Sequence, residues 1–450
     1  MTRFLLVTQP ITGHVLPALP VAQTLVERGH EVRWYTGAKF RSKVEATGAV
    51  FEPFRAAYDY DDSDFDAAFP GRGSLSGVNQ MKFDLVHVFV KQLAPQHHDI
   101  EAILAGFPAD VILADFSVAA AASVHERGGP PFAILGATTL SIRSRDTAPF
   151  GLGMLPDSSP LGRLRNRLLY AFAAQTVFQE ASAEAARQLA SLGLPAVKVE
   201  GVILSPYLHL QATVPGFEYP RSDLPPQVHF IGALLPDAPN GFTPPAWWPE
   251  VTHKERPVVL VTQGTAATNE EDLIVPALKA LAGEDVLVIA AGVKSNGSLG
   301  INPLPSNARV EAFLPFKHVL PHVDVYVTNG GFGGIQYALV NGVPVVTGGT
   351  TEDKPETNAR IAWSGAGINL KTANPTPDQV RDAVRRVLGE PQYRQAAQKL
   401  KAEFSKHHAP AEAAVLLERL AETRQPVVEP LCMEERVRED GVRTLAWSPC

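Results

Sequence analysis

Short runs of apolar, largely β-branched residues recur along the chain. Between them lie longer stretches whose apolar positions fall three and four apart. In the first half the short runs occupy 4–8, 31–35, 50–53, 111–114 and 132–135. They are too short for helices and too continuously apolar for a half-solvated strand, so they read as strands buried on both faces. Helical spacing predicts helices over 16–27, 39–46, 78–105, 118–127 and 161–194. In the second half, strands are expected at 258–262, 286–290, 308–312, 323–328, 343–346 and 367–370, with helices between them and at 377–388, 392–404 and 409–423. Strand–helix alternation predicts a parallel sheet with helices on both faces, and here it occurs twice.

The two halves are separated by a change of character. From Asp223 to Arg256, prolines are frequent and periodicity is absent, which excludes helix and stiffens the backbone. The resulting expectation is an N-terminal domain over 1–222, a linker over 223–257 and a C-terminal domain over 258–404. A terminal helix over 405–424 packs back on the first domain, and 425–450 form a polar tail. No close sequence repeat accompanies the repeated architecture.

Composition narrows the function. A length of 450 residues with 45% hydrophobic content suits two or three globular domains with a sizeable core. The net charge of −7 gives no reason to expect nucleic acid or an anionic membrane as the main partner. The only cysteines, Cys432 and Cys450, cannot form a disulfide framework or a cysteine-rich zinc site. The opening apolar run is five residues long and reads as a first strand, not a leader peptide. No run reaches the ~18 apolar residues of a membrane span, and a cytoplasmic monomer or homodimer is expected.

The chemistry concentrates between Val323 and Leu370: a strand, a turn holding Gly330, Gly331, Gly333 and Gly334, a short helix and a second strand. Such glycines let backbone approach a ligand closely. The helix start beyond them offers unpaired N–H groups and partial positive charge, which suits phosphate. The glycines could instead serve only a tight turn. A nicotinamide fingerprint would require a third spaced glycine on the first strand of the unit. Strand order sharpens the phosphate reading. In a sheet of order 3-2-1-4-5, strands 1 and 4 are neighbours and the ligand crevice opens at their carboxyl ends. There Gln263-Gly264-Thr265 would meet Asn329-Gly330-Gly331.

Over most of the chain, and most strongly over 258–370, the sequence resembles the GT-B glycosyltransferases of family 1, the UDP-glycosyltransferase-like enzymes that act on antibiotics and other natural products. The resemblance implies two facing Rossmann-like domains with a nucleotide sugar between them. It assigns Gly264 and Thr265 to the diphosphate, and Phe313, in Phe313-Leu314-Pro315-Phe316, to stacking on the base. The sequence departs from the family at several donor positions. Asn329 stands for the usual His, Tyr337 for the ribose-binding Glu, and Glu352-Asp353-Lys354 for the Asp-Gln pair that contacts the sugar. Loss of that Glu would matter less for a deoxyribose, so a dTDP-sugar is expected beside a UDP-sugar as the donor. No further cofactor is required.

The resemblance extends to the first turn, Thr12-Gly13-His14, where the family carries its catalytic histidine. A histidine at a helix start can also be a mere cap. Its partner is Asp115, at the end of the fourth strand and hence beside the first. A carboxylate on one imidazole nitrogen leaves the other free to act as a general base. Asp115 could equally cap the helix that follows. The reaction implied is inverting displacement at the anomeric carbon without a metal. The Asp-x-Asp pattern in the acidic run 59–66 raises a metal site, but it lacks a calcium loop's glycine and reads as a solvated loop. Phe65, Phe69, Met81, Phe83, Phe150 and Met154 could line an acceptor pocket for a lipophilic or aromatic small molecule, or could be packing. A sugar-nucleotide epimerase and a non-catalytic binder of the same fold remain alternatives.

Overall fold

The computed structural model describes residues 1–199, 203–236, 241–264, 269–293, 299, 301–437 and 443–449. Two doubly wound α/β domains face each other. The first has a sheet of seven strands: β1 Arg3–Val7, β2 Glu31–Thr36, β3 Val50–Pro53, β4 Val111–Asp115, β5 Phe132–Gly136, β6 Leu208–Gln211 and β7 Val228–Phe230. Their order is β3-β2-β1-β4-β5-β6-β7. The second has six: β8 Val258–Thr262, β9 Leu287–Ala291, β10 Ala308–Glu311, β11 Val325–Thr328, β12 Val345–Thr347 and β13 Gly367–Asn369, in the order β10-β9-β8-β11-β12-β13. Every pairing in both sheets is parallel. In both, the first strand of the half lies against the fourth, with Val7 opposite Ala114 and Thr328 opposite Thr262.

The central strands are buried end to end, as their unbroken apolar runs require. Phe4 and Leu6 point to one helical layer and Leu5 and Val7 to the other. The same split separates Leu260 from Val259 and Val261 in β8.

Several boundaries differ from the sequence reading. β6 and β7 were not foreseen. β6 carries two buried polar side chains, His209 and Gln211, that hold each other at 3.2 Å, and this polarity hides the strand. β7 lies inside the proline-rich stretch, so the first domain extends beyond 222 and the connection shortens. The expected helix 78–105 is broken into Gly77–Asp84, a π-helical turn Leu85–Phe89 and Leu93–Gly106. The stretch 161–194 is two helices, Pro160–Thr176 and Gln179–Ser191. The last helix, Ala409–Thr423, sets Ala413, Leu416, Leu417 and Leu420 into the first domain's core beside Val21 and Leu25. The segment read as a polar tail contains an antiparallel pair, β14 Leu431–Val437 and β15 Arg443–Pro449. No helix among the described residues is long and apolar enough to cross a membrane.

The domains are tied by buried polar contacts. The Arg360 guanidinium donates to Glu218 at 2.8 Å and to Glu356 at 2.9 Å, with all three side chains almost fully buried. It lies over the Tyr219 ring at 4.1 Å. Glu356 also accepts the backbone N–H groups of Gly151 and Gly153, at 2.9 and 2.8 Å. Gln336 donates to the Ala212 carbonyl at 2.5 Å.

Burial pushes the His209 imidazole down to about 4 from an ordinary value of 6.5. The unfolded chain therefore takes up this proton at higher pH than the fold does. His209 favours the folded state above about pH 6.5, and that contribution falls by about 1.4 kcal/mol per pH unit as pH drops towards 4. Urea midpoints measured at a series of pH values should show a shallower acid loss of stability for His209→Gln than for the unsubstituted chain. Equal slopes would remove His209 as a cause.

Candidate active site

The β1–β4 adjacency sets the first cluster. β1 ends at Val7, and the chain enters the one-turn helix Thr12–Val15, which carries His14. β4 ends at Asp115. His14 Nδ1 donates to Asp115 Oδ2 at 2.7 Å, since a carboxylate can only accept. Asp115 is fixed in turn. Its Oδ2 accepts Gln9 N–H at 3.1 Å, and its Oδ1 accepts Ser117 N–H at 2.9 Å and the Ser117 hydroxyl at 3.0 Å. Asp115 is 3% exposed and His14 15%, so the imidazole forms the solvent side of the pair. With Nδ1 occupied, Nε2 is the nitrogen left for a ligand.

Burial works against charge on His14, but the Asp115 carboxylate beside it outweighs that, aided by Asp353 and Asp62, and the imidazole pKa is raised. Burial likewise opposes the Asp115 charge. His14 and the N–H groups of Ser117 and Gln9 prevail and hold its pKa low. The imidazolium is thus the stabilised form of the pair.

Aromatic rings surround this pair. Phe116 stacks on His14 at 4.9 Å and Phe89 at 6.4 Å. Phe89 belongs to a cluster with Ile11, Tyr60, Phe65, Phe69, Phe83 and Val88. Of the predicted acceptor residues, Phe65, Phe69 and Phe83 therefore belong to the cluster that reaches His14 through Phe89. Phe150 and Met154 lie apart, in a small interdomain cavity with Tyr170, Glu356 and Arg360. Met81 sits by the Gly151 backbone. Phe89, Phe116, Ser117 and Tyr60 were not singled out from sequence. Only Ser117, two residues past Asp115, carried a local signal, an Asx-type turn.

The acidic run is a largely exposed loop, as expected, and some of its carboxylates also serve the backbone. Asp62 accepts Thr12 N–H at 2.7 Å, two residues before His14. Asp59 accepts Ala38 N–H, and Asp64 caps the helix Phe65–Ala68. Among the described residues, no group of three or more His, Cys, Asp or Glu side chains is placed to hold a metal ion.

The β8–β11 adjacency sets the second cluster. Gly264 follows β8 at φ +81° and Gly330 follows β11 at φ +95°. Asn329 donates its side-chain amide to the Gln263 carbonyl, which ties the two strand ends together. A Cβ on Gly330 would lie 1.7 Å from Asn358 Oδ1, so glycine is obligatory there. Gly331 precedes the helix Phe332–Val340 without a side-chain cap, leaving its first N–H groups for a ligand. A Cβ on Gly333 would meet nothing within 4 Å. Thr265 lies outside the described residues.

The other predicted donor residues divide. Phe313 is 66% exposed and, with Glu311, Phe242, Thr243 and Pro245, lines a cavity of about 300 Å³; Leu314 is buried at its base. Tyr337 turns away from that cavity and donates its hydroxyl to the Pro236 carbonyl at 2.8 Å. Glu352 takes φ +57° and is bonded by the buried Lys354 ammonium. Asp353 reaches across the cleft to accept the Thr138 hydroxyl at 2.7 Å. Burial pushes its carboxyl pKa up, against the pull of Thr138 and Lys354. The site therefore joins a histidine–carboxylate pair and an aromatic wall in one domain to a glycine-lined helix start in the other.

The chain shares sequence over 274–420 with a family model described as "Erythromycin biosynthesis protein CIII-like, C-terminal domain". It is 46% identical to the 4'-demethylrebeccamycin synthase of Lentzea aerocolonigenes, over 93% of this chain and 99% of that protein. It is 38% identical to UDP-glycosyltransferase 2 of Phaeomoniella chlamydospora, over 89% of this chain and 91% of that protein. The fold matches the crystal structures of the calicheamicin glycosyltransferase CalG4, with TM-score 0.73, 20% identity and coverage of 95% and 100%, and of the kitacinnamycin glycotransferase, with TM-score 0.71, 24% identity and coverage of 93% and 98%.

Two glycine substitutions separate folding from ligand binding in the second cluster. Gly330→Ala should lower stability by about 1–3 kcal/mol through its left-handed backbone alone, with the Asn358 clash adding to that. Gly333→Ala should leave the thermal midpoint nearly unchanged yet weaken nucleoside diphosphate binding, read by calorimetry. Unaltered binding by Gly333→Ala would move the ligand away from this helix start.

Proposed function

The chain belongs to the GT-B, UDP-glycosyltransferase-like family of natural-product glycosyltransferases, and from that premise we propose an inverting, metal-independent transfer from a UDP- or dTDP-sugar to a hydroxyl of a lipophilic or aromatic small molecule. That the protein is a glycosyltransferase rests on its relatives along nearly the whole chain. The finer reading rests on one observation, the 2.7 Å contact of His14 with Asp115 opposite the glycine-lined crevice.

In this reading the acceptor hydroxyl lies against His14 Nε2. As its oxygen bonds to the anomeric carbon, its proton passes to Nε2 and the bond from that carbon to the diphosphate oxygen breaks. Attack comes from the face opposite the leaving group, so configuration inverts. Asp115 stabilises the imidazolium that forms. The N–H groups at the start of Phe332–Val340 stabilise charge on the departing diphosphate, the role a metal would otherwise take. Phe69, Phe83, Phe89 and Phe116 supply a flat apolar wall for the acceptor. The cavity beside Phe313 suits the base. A solved relative of the same fold was crystallised with dTDP and another relative is named for UDP, so both donors are carried forward. The epimerase and non-catalytic readings have no observation in their favour.

A donor-by-acceptor screen read by mass spectrometry tests this. His14→Ala should reduce kcat by about 10²–10⁴, and undiminished transfer would remove His14 from its role. Neutral His14 is the active form and its pKa is raised above 6.5, so kcat/KM should fall as pH drops through that raised value. Asp115→Asn removes the charge that raises it, and should move the acid limb to lower pH. Calorimetry with UDP and dTDP identifies the donor nucleotide, a clear preference for UDP excluding the dTDP reading.

A further inference from the structure

The helix Pro160–Thr176 turns an apolar stripe towards solvent. Its inward face is marked by Gly162, Asn166, Tyr170 and Ala173, all buried. Opposite them, Leu161, Leu164, Leu168 and Phe172 recur three and four residues apart and so share one face. They are 79%, 53%, 62% and 66% exposed. Leu155, also more than half exposed, lengthens the stripe, and its carbonyl accepts Arg165 of the same helix. Isolated exposed leucines are unremarkable, but a contiguous row marks a surface that meets something apolar.

Charge identifies the occupant. At 100° per residue, Arg165 and Arg167 fall on opposite sides of the stripe. Arg167 is exposed and makes no ion pair among the described residues. The helix contains no Asp or Glu, and between 143 and 176 the chain has five arginines against two aspartates, in a protein of net charge −7. A second copy packed stripe to stripe across a twofold axis would bring these arginines together with no carboxylate in either helix to pair them. A lipid surface with anionic headgroups answers both features. The leucines and Phe172 enter the acyl boundary, while the guanidinium groups meet phosphates.

We propose that Pro160–Thr176 docks this protein peripherally on anionic bilayers. Leu152, between the two glycines bound by Glu356, is also 52% exposed.

The full chain should be floated with vesicles of phosphatidylcholine alone and of phosphatidylcholine mixed with phosphatidylglycerol. The chain is expected to float with the mixed vesicles and not with the neutral ones. Leu168→Gln/Phe172→Gln should reduce the floated fraction about tenfold or more, and each of Arg165→Gln and Arg167→Gln about fivefold, less so at high salt. Leu168, Phe172 and Arg167 are exposed, so circular dichroism and transfer to a water-soluble acceptor without vesicles should be unchanged in their variants, while Arg165, half-buried on Asn166, is read together with its circular dichroism. That separates a failure of docking from a failure of the transfer reading. Absence of flotation with anionic vesicles, equal flotation with neutral ones, or equal flotation of Leu168→Gln/Phe172→Gln would overturn the proposal. So would a dimer in sedimentation that this double variant converts to monomer, since the stripe would then join two copies.

Discussion

A single guanidinium holds the two halves in register. Arg360 is 1% exposed between Glu218 of the first domain and Glu356 of its own helix. A charge so far from water is tolerated only when its hydrogen bonds are filled, and removing one partner of a buried pair commonly costs about 3–5 kcal/mol. Such an arrangement stabilises little in net terms, but it allows few alternatives. Only one approach of the domains sets both carboxylates around Arg360 and also gives Glu356 the amides of Gly151 and Gly153. That approach brings Asp353, at the start of the same helix, to Thr138 and within electrostatic reach of His14. The His14 imidazole therefore feels a carboxylate from each domain, Asp115 and Asp353.

The second constraint is topological. Each sheet places its first strand beside its fourth, and the chain exploits the crevice twice. In the first domain the strand ends carry the His14–Asp115 pair. In the second they carry backbone: Gly264 and Gly330 in left-handed conformations and an uncapped helix. Strand polarity aims both crevices into the same cleft, because parallel strands present all their carboxyl ends on one side.

This explains what could be read from the residues alone. His14, Asp115, Gly264 and Gly330 stand at the ends of long apolar strands, so locating the strands locates them. Phe89 and Phe116 reach His14 through tertiary packing, and Phe89 ends a π-helical turn that periodicity does not reveal. β6 escaped because the polar side chains of His209 and Gln211 satisfy each other only once folded. The final antiparallel pair escaped because the high charge of the stretch obscured it. The acidic run is solvated as read, but nothing local shows that its half-buried Asp62 accepts the Thr12 N–H.

The departures from the family pattern fall where side chains, not backbone, would meet the donor. Asn329 is engaged with the Gln263 carbonyl, Tyr337 with the Pro236 carbonyl and Lys354 with Glu352. Each replacement has a structural partner within the protein. The helix start and its glycines are unaffected by them, since N–H groups do not depend on the side chain attached. The surroundings that differ include exposed Phe313, which shares a cavity with Phe242, Thr243 and Pro245 from the connection between the domains. Tyr337, which stands where the family has its ribose-binding glutamate, instead ties its hydroxyl to the Pro236 carbonyl.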